Sequence, residues 1–295
     1  MNNIIFGGDS FTWGEGLELY QDTPKWIEQR KKDSQFPNYY HLIDDVDTKF
    51  RETHNFAGRV AAHFGYDIIQ MEANGYDFTM STDFVNSKIT PDTKTIVYQI
   101  SQCHRFYTHY DKNCQCDFCM KADYDKPWHV YFTYLEKLIE KKTPTEHESY
   151  FYEYMVNVLG FPTFDEIFDK YDTRPFWNHD VIDTKTEKWI YNAFEWLFNE
   201  HILKWKEKYK VILIDSWDDR TSTMLSKLPY TNDMLLAMKG YDGNYYKNWK
   251  EWENTFPHTR IQSEFPKTNN GHPTFLQHQY LAESIIENIN NRNII

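Results

Sequence analysis

The sequence lacks a long hydrophobic run. Among its 295 residues, no stretch approaches the roughly 20 consecutive apolar residues that a membrane-spanning helix needs. Residues 1–6 also lack the basic character that opens a secretory signal peptide, and their apolar run stops at Gly7. We therefore expect no membrane segment, and we expect a protein that acts in the cytoplasm or is associated with a virus particle.

Basic residues are fewer than acidic ones. Lysine and arginine number 32 against 44 aspartates and glutamates, which gives a formal net charge of −12. A general nucleic-acid binder needs a basic surface that displaces counterions, and no stretch dense in lysine or arginine occurs here. The charge balance argues against nucleic acid and anionic membranes as partners, although it leaves room for a local basic pocket.

Aromatic residues, in contrast, are abundant. The chain contains 22 tyrosines, 21 phenylalanines and 10 tryptophans, and 40% of its residues are hydrophobic. Such a composition excludes a disordered chain, because disordered chains are poor in aromatic residues. The rings either fill a large core, which is their usual role, or line a cleft that stacks on sugars.

Four short runs have the composition of buried strands. They are rich in β-branched residues and lack the strict alternation of a half-buried strand, so both of their faces should be covered, as in a parallel sheet. The four runs are residues 3–8, 67–71, 95–101 and 210–215.

Helical spacing of apolar residues marks several stretches between and after these strands. One pattern covers residues 54–64 and meets Gly65, a residue type that commonly ends helices. Another opens at Thr274, a suitable N-cap, and runs to about residue 290. The remaining patterns cover residues 127–141, 145–160 and 180–208.

This succession of strands and helices predicts a doubly wound α/β sandwich around a parallel sheet. Residues 103–208 contain no convincing strand, so we interpret them as a largely helical insertion after the third strand. No internal repeat or low-complexity tract is present. We therefore predict one domain over residues 1–295 that carries a large insertion.

A serine and a histidine occupy positions where such a sheet carries out chemistry. Ligands bind at the carboxyl ends of parallel strands, and Ser10 follows the first strand directly, after Gly7, Gly8 and Asp9. The Ser10 N–H can act as an oxyanion donor, while Asp9 should brace the turn by hydrogen bonds. His272 precedes the last helix, and an imidazole is well suited to take a proton from a serine hydroxyl.

Residues 6–14, with the sequence FGGDSFTWG, together with His272 ahead of the last helix, resemble the SGNH hydrolase superfamily of GDSL-type esterases and lipases. The resemblance implies a flavodoxin-like three-layer α/β sandwich, with Ser10 as nucleophile and His272 as its general base. It also implies that Gly75, after the second strand, contributes a backbone N–H to the oxyanion hole.

Two positions depart from this family. The third block of the family supplies an oxyanion-hole asparagine, whereas Gln102 follows the third strand here and can offer its amide; nearby, Arg105 either contacts an anionic substrate group or forms a structural salt bridge. Asn269 stands three residues before the histidine, where the family has its triad aspartate. Either a backbone carbonyl assists a Ser–His dyad, or Glu264 or Asp215 supplies the charge, or activity is weak.

The function that the resemblance implies is that of a serine esterase. We expect it to hydrolyse an acyl ester, above all an acetyl ester, on a small molecule or a carbohydrate, with no cofactor for catalysis. The alternative is a non-catalytic carbohydrate- or partner-binding protein that retains the fold. A covalent probe for reactive serines distinguishes the two.

All four cysteines lie close together in the predicted insertion: Cys103, Cys114, Cys116 and Cys119. The last three have the C-x-C-x₂-C spacing of a thiolate metal loop, and the first can complete a tetrahedral zinc site. Such a zinc would be structural, because four protein ligands leave no position open for water. Reduced thiols, or disulfides in an exported protein, are the alternative.

Two further groups of residues are expected to serve the fold. Asp218 and Asp219 follow the fourth strand, where they should cap a helix and line a solvated turn. The aromatic residues between positions 245 and 252 have near-helical spacing and should pack in the interior rather than stack on a sugar.

Overall fold

The computed structural model describes most of the chain. The described residues are 3–32, 40–70, 78–101, 198–228, 230–268 and 270–291, together with isolated residues between 102 and 197. The chain forms two compact units. The first comprises Met1–Tyr76, Met80–Ser101 and Trp205–Ile295, and the second comprises Asp77–Thr79 and Gln102–Lys204. The second unit covers nearly the same residues as the predicted insertion.

A four-stranded parallel sheet lies in the first unit. Its strands are β1 (Asn3–Gly7), β2 (Ile69–Gln70), β3 (Thr93–Gln99) and β4 (Lys210–Ile214), in the spatial order β2-β1-β3-β4. Every neighbouring pair is parallel, which confirms the mixed α/β class with a parallel sheet. Each strand overlaps one of the four predicted runs.

Helices connect and flank these strands throughout the described residues. In chain order they are α1 (Ser10–Trp13), α2 (Pro24–Gln29), α3 (Asp45–His54), α4 (Phe56–Phe64), α5 (Phe78–Lys88), α6 (Lys204–Lys206), α7 (Asp219–Lys227), α8 (Trp249–Glu253), α9 (Ile261–Glu264) and α10 (Phe275–Asn291). Short 3₁₀ turns cover Leu17–Tyr20, Tyr40–Leu42 and Pro266–Thr268, and a π-helical turn covers Phe198–Leu203. The antiparallel pair β5 (Met238–Lys239) and β6 (Tyr245–Tyr246) completes the set. The predicted helices at 127–141 and 145–160 lie outside the described residues, apart from isolated positions.

Local signals account for the ends of α4 and α10. The Asn55 side chain accepts from the Gly58 N–H (2.7 Å) ahead of α4, and Gly65 ends that helix with a φ of 67°. At the start of α10, the Thr274 N–H donates to the Gln277 side chain (2.8 Å), and the Gln277 N–H donates to the Thr274 hydroxyl (3.3 Å). The end of α4 and the start of α10 agree with the prediction, whereas α4 starts at Phe56, two residues after the predicted pattern begins.

Helices cover both faces of the sheet. On one face, Phe6 of β1 and Val97 of β3 share an apolar cluster with residues of α4 and α10, including Leu281. On the other face, Tyr98 of β3 packs against the Trp205 ring, with centroids 5.5 Å apart. Because both faces are buried, β1, β3 and β4 show apolar runs without alternation. Ser10 follows β1 at the carboxyl edge of the sheet, the edge at which parallel sheets commonly bind ligands.

Candidate active site

The turn after β1 holds Ser10 rigidly at the edge of the sheet. Asp9 is the N-cap of α1, and one of its carboxylate oxygens accepts from the Phe11 N–H (2.9 Å). The other oxygen accepts from the Trp217 indole N–H (3.2 Å). Asp9 is fully buried. Its carboxylate therefore braces the turn that carries Ser10, as expected from the sequence.

The Ser10 hydroxyl lies next to the imidazole of His272. The Ser10 Oγ and His272 Nε2 atoms are 2.9 Å apart, although 262 positions separate the residues in the chain. Each residue is only 8% exposed. This separation is within the range for proton transfer between a nucleophile and its base. The structure thus brings the two predicted residues together.

Asn270 fixes which nitrogen of the His272 ring carries the proton. The Asn270 Oδ1 atom accepts from the His272 backbone N–H (2.9 Å) and lies 2.9 Å from the ring Nδ1. A backbone N–H can only donate, so the facing Asn270 atom is the carbonyl oxygen, and Nδ1 must donate to it. In the neutral ring, Nε2 then keeps its lone pair for the Ser10 proton.

The orienting residue lies one position later than the family resemblance implies. Asn269, which stands at the family's aspartate position, lies outside the described residues, whereas Asn270 makes the contact with the ring. An asparagine can orient a catalytic imidazole, as in the Cys-His-Asn arrangement of papain-like proteases. It carries no charge, so it does not stabilise the imidazolium in the way an aspartate does.

The oxyanion donors are only partly described. The Ser10 N–H is the first amide of α1, and among the described residues no group accepts a hydrogen bond from it. It can therefore donate to an oxyanion beside the Ser10 hydroxyl. Gly75, Gln102 and Arg105, the other residues predicted to serve the site, lie outside the described residues.

Glu15 also contacts the His272 ring, although no sequence pattern had singled it out as a site residue. Its Oε2 atom lies 3.2 Å from His272 Nε2, and the residue is 1% exposed. Gly14 and Gly16 flank it, and both adopt positive φ, 79° and 91°. The sequence signal that could have identified it is the Gly-Glu-Gly turn shortly after Ser10, since two glycines allow a chain reversal that brings the glutamate back toward the serine.

The two acids proposed from sequence as charge donors have other partners. Asp215 accepts from the Ser222 hydroxyl (2.7 Å) and the Trp249 N–H (2.8 Å), and burial raises the pKa of its carboxyl. Glu264 accepts from the Tyr20 hydroxyl at 2.6 Å. Within the described part of the chain, Glu15 is the carboxylate that contacts the His272 ring.

Aromatic rings form the wall beside the histidine. The Phe11 ring meets the His272 ring edge to face, with centroids 5.1 Å apart, and also contacts Trp217 at 5.1 Å. Trp249 and Trp252, from the predicted aromatic cluster, are buried and packed together at 4.9 Å. These two tryptophans therefore pack in the interior, as expected, whereas Trp217 is partly exposed.

A second histidine, His278, lies on α10 and stays neutral. Its Nδ1 accepts from the Phe56 N–H (3.2 Å), and its ring stacks on the Phe56 ring. Burial lowers the pKa of His278 to about 3, with smaller contributions from Arg59 and His272 nearby. This side chain is therefore an acceptor within the fold rather than a second proton carrier.

His278 should make the fold sensitive to acid. An unfolded histidine binds a proton below about pH 6.5, whereas the folded protein resists protonation here until about pH 3. The unfolded state therefore binds more protons in this window, and stability falls as the pH falls, on the order of 1 kcal/mol per pH unit. His278→Asn keeps an acceptor for Phe56 and cannot be protonated. Between pH 7 and pH 4.5, the unfolding free energy measured with urea should fall less in the variant than in the wild type. An equal fall in both proteins would contradict the assignment of His278 as a neutral buried histidine.

The four cysteines of the predicted zinc site, Cys103, Cys114, Cys116 and Cys119, all lie outside the described residues. Among the residues that are described, no group of three histidine, cysteine, aspartate or glutamate side chains is arranged to hold a metal ion. The structural zinc stays a prediction from the cysteine spacing.

Comparison of the chain with protein-family models, with curated proteins and with solved structures found no match. The function is therefore inferred from the geometry of the site and from the motifs in the sequence. Across the described ranges, no helix combines the length and apolar character that crossing a bilayer requires.

Proposed function

We propose that this protein is a serine esterase of the SGNH type that hydrolyses acyl esters. The observation that carries the proposal is the chain of contacts from the Ser10 hydroxyl to His272 Nε2 (2.9 Å), and from His272 Nδ1 to Asn270 (2.9 Å). A nucleophile, a base and an orienting group in hydrogen-bond contact are the signature of nucleophilic catalysis.

The position of Ser10 in the fold supports the same proposal. The order β2-β1-β3-β4 is that of the first four strands of a flavodoxin-like sheet, where ligands bind at the reversal of strand order between β1 and β3. Ser10 follows β1 at this reversal. A flavodoxin-like SGNH sandwich with an insertion is therefore the fold that we propose.

The proposed reaction has two steps. The Ser10 Oγ gives its proton to His272 Nε2 and bonds to the ester carbonyl carbon; the ester C–O bond then breaks, and His272 returns the proton to the departing alcohol. Water next gives a proton to His272 Nε2 and attacks the acyl carbon. The bond to Ser10 Oγ breaks, the acid leaves, and Ser10 recovers its proton. The sum is ester plus water giving acid plus alcohol.

Amide donors stabilise the oxyanion in this scheme. The Ser10 N–H is the donor that the described residues supply, the resemblance implies a second from the Gly75 backbone, and the Gln102 side-chain amide is the third that we propose. Arg105 follows the third strand, where it either meets an anionic part of the substrate or forms a structural salt bridge. The buried surroundings of Ser10 and His272 strengthen such interactions, because water competes less for the donors.

An acetyl ester, on a small molecule or a carbohydrate, is the substrate that we propose. This preference comes from the SGNH resemblance and the aromatic content of the chain. The partly exposed Trp217 beside Phe11 offers a ring against which a sugar can stack. The proposed reaction uses groups of the protein and water, and requires no cofactor.

Labelling with a fluorophosphonate tests the proposal. The wild-type protein should gain one covalent adduct, located on Ser10 by peptide mass spectrometry, because only a hydroxyl activated by a base reacts rapidly with this probe. Ser10→Ala should remove the adduct. Ser226→Ala, which changes a serine on an exposed part of α7, should leave it in place. A folded wild-type protein that gains no adduct would favour the non-catalytic carbohydrate- or partner-binding alternative.

A further inference from the structure

One nitrogen of the catalytic ring faces two oxygen atoms. His272 Nε2 lies 2.9 Å from the Ser10 hydroxyl and 3.2 Å from the Glu15 carboxylate. Glu15 is 1% exposed, so its charge is poorly screened by water. The proposed two-step reaction makes no use of this carboxylate, although it contacts the atom that receives the proton.

The contact between Glu15 and the ring becomes favourable when Nε2 carries a proton. Because Nδ1 donates its proton to Asn270, Nε2 of the neutral ring carries a lone pair. An ionised Glu15 carboxylate oxygen, 3.2 Å away, also presents a lone pair, and the two lone pairs repel each other. Once Ser10 has given its proton to Nε2, the ring is an imidazolium that attracts the carboxylate. The interaction is therefore stronger in the transition state than in the ground state, which is the condition for accelerating a reaction.

The backbone around Glu15 is shaped to make this contact. Gly14 ends α1 and Gly16 begins the next 3₁₀ turn, both in the left-handed region that favours glycine. A Cβ atom on Gly16 would lie 2.5 Å from the Asn270 side-chain nitrogen, so only glycine allows this close approach. The turn that carries Glu15 thus packs directly against the loop that carries Asn270 and His272.

We infer that Glu15 is a positioning residue of the reaction, which supplies from the Nε2 side of the ring the negative charge that Asn270 lacks. The inference rests on the proposed hydrolase function. Glu15 takes no proton from the substrate and forms no covalent bond. It holds the ring and stabilises the imidazolium during both steps, and so has the electrostatic part of the role that an aspartate plays in a Ser-His-Asp triad.

Glu15→Gln tests this role, because it keeps the shape of the side chain and removes its charge. We expect kcat for p-nitrophenyl acetate, and the rate of fluorophosphonate labelling, to fall by about 100- to 1,000-fold. KM should change little, since Glu15 contacts the ring rather than the substrate. Glu15→Asp keeps the charge at a longer distance and should give an intermediate kcat. Glu264→Gln is the matched control, since that carboxylate bonds to Tyr20, and its kcat should equal that of the wild type.

The outcomes separate this inference from the proposed function. Hydrolysis that Ser10→Ala abolishes, with an unchanged or higher kcat in folded Glu15→Gln, would overturn the role of Glu15 and leave the esterase standing. A wild-type protein that neither hydrolyses esters nor labels would remove both. Folding of each variant is checked by near-ultraviolet circular dichroism; if Glu15→Gln does not fold, Glu15→Asp decides, and a wild-type kcat in that variant counts against the inference.

Discussion

Alanine at His272 is expected to lower kcat for p-nitrophenyl acetate by about four orders of magnitude or more. The variant removes the atom that lies 2.9 Å from the Ser10 hydroxyl and that receives its proton in the proposed reaction. A serine hydroxyl without a base is a weak nucleophile near neutral pH, because almost none of it is ionised. Initial rates measured at saturating substrate, with the wild-type protein in parallel, give the comparison.

Two controls accompany the His272→Ala measurement. Ser10→Ala combined with His272→Ala should be no slower than either single variant, since residues that act as a unit have strongly non-additive effects. His63→Ala replaces an exposed histidine on α4 and should retain the wild-type kcat. If His272→Ala keeps kcat within about tenfold of the wild type while Ser10→Ala is inactive, another group is the base.

The sheet could be predicted because its strands are buried on both faces. β1, β3 and β4 read as short apolar runs, and the structure places each of them within two residues of the predicted start. β2 was predicted to start at residue 67 but starts at Ile69, and residue 71 lies outside the described part of the chain. Among the described strands β2 lies at the end of the order and pairs with β1, so fewer contacts fix its start.

The pairing of Ser10 with His272 was predicted from the resemblance of residues 6–14, and of the histidine ahead of the last helix, to the SGNH family. The orienting residue could not be identified by counting back from the histidine. Asn270 forms a local turn in which its side chain accepts from the backbone N–H two residues later, and the same oxygen then reaches the ring. An asparagine followed by glycine favours such a turn.

The aromatic cluster between residues 245 and 252 shows a limit of periodicity. These residues were predicted to pack in the interior, and Asn248 caps a helix that covers only Trp249–Glu253. Tyr245 lies on β6 instead and is 55% exposed. The prediction of interior packing was therefore wrong for Tyr245, because the capping side chain starts the helix after it. The prediction that Asp218 caps a helix is confirmed, since it accepts from the Thr221 N–H ahead of α7.

A fully buried ion pair, Glu18 with Arg51, joins the chain after the nucleophile to α3. Arg51 Nε donates to Glu18 Oε2 at 2.5 Å, and both side chains have no exposed surface. The Arg51 guanidinium also lies 4.2 Å from the centre of the Trp13 ring. Glu18 Oε1 and both Arg51 Nη atoms have no hydrogen-bond partner among the described residues. The charges therefore depend on each other for compensation, and removing one leaves the other buried and unpaired.

Glu18→Gln should consequently lower the free energy of unfolding by about 3 to 5 kcal/mol, the cost of leaving one charge of a buried pair uncompensated. Urea unfolding of the wild type and the variant measures this loss. Adding Arg51→Met should recover part of the stability, because the ion pair is then replaced by uncharged groups. The double variant should therefore be more stable than the sum of the two single losses allows.

Asp219→Asn is the control, because it breaks the exposed pair with Lys250 and should leave the unfolding free energy nearly unchanged. If Glu18→Gln and Asp219→Asn have the same unfolding free energy, the buried pair contributes nothing to stability. If Glu18→Gln is clearly less stable while Asp219→Asn is not, the segment that follows Ser10, in which Glu15 also lies, depends on this pair for its attachment to the fold.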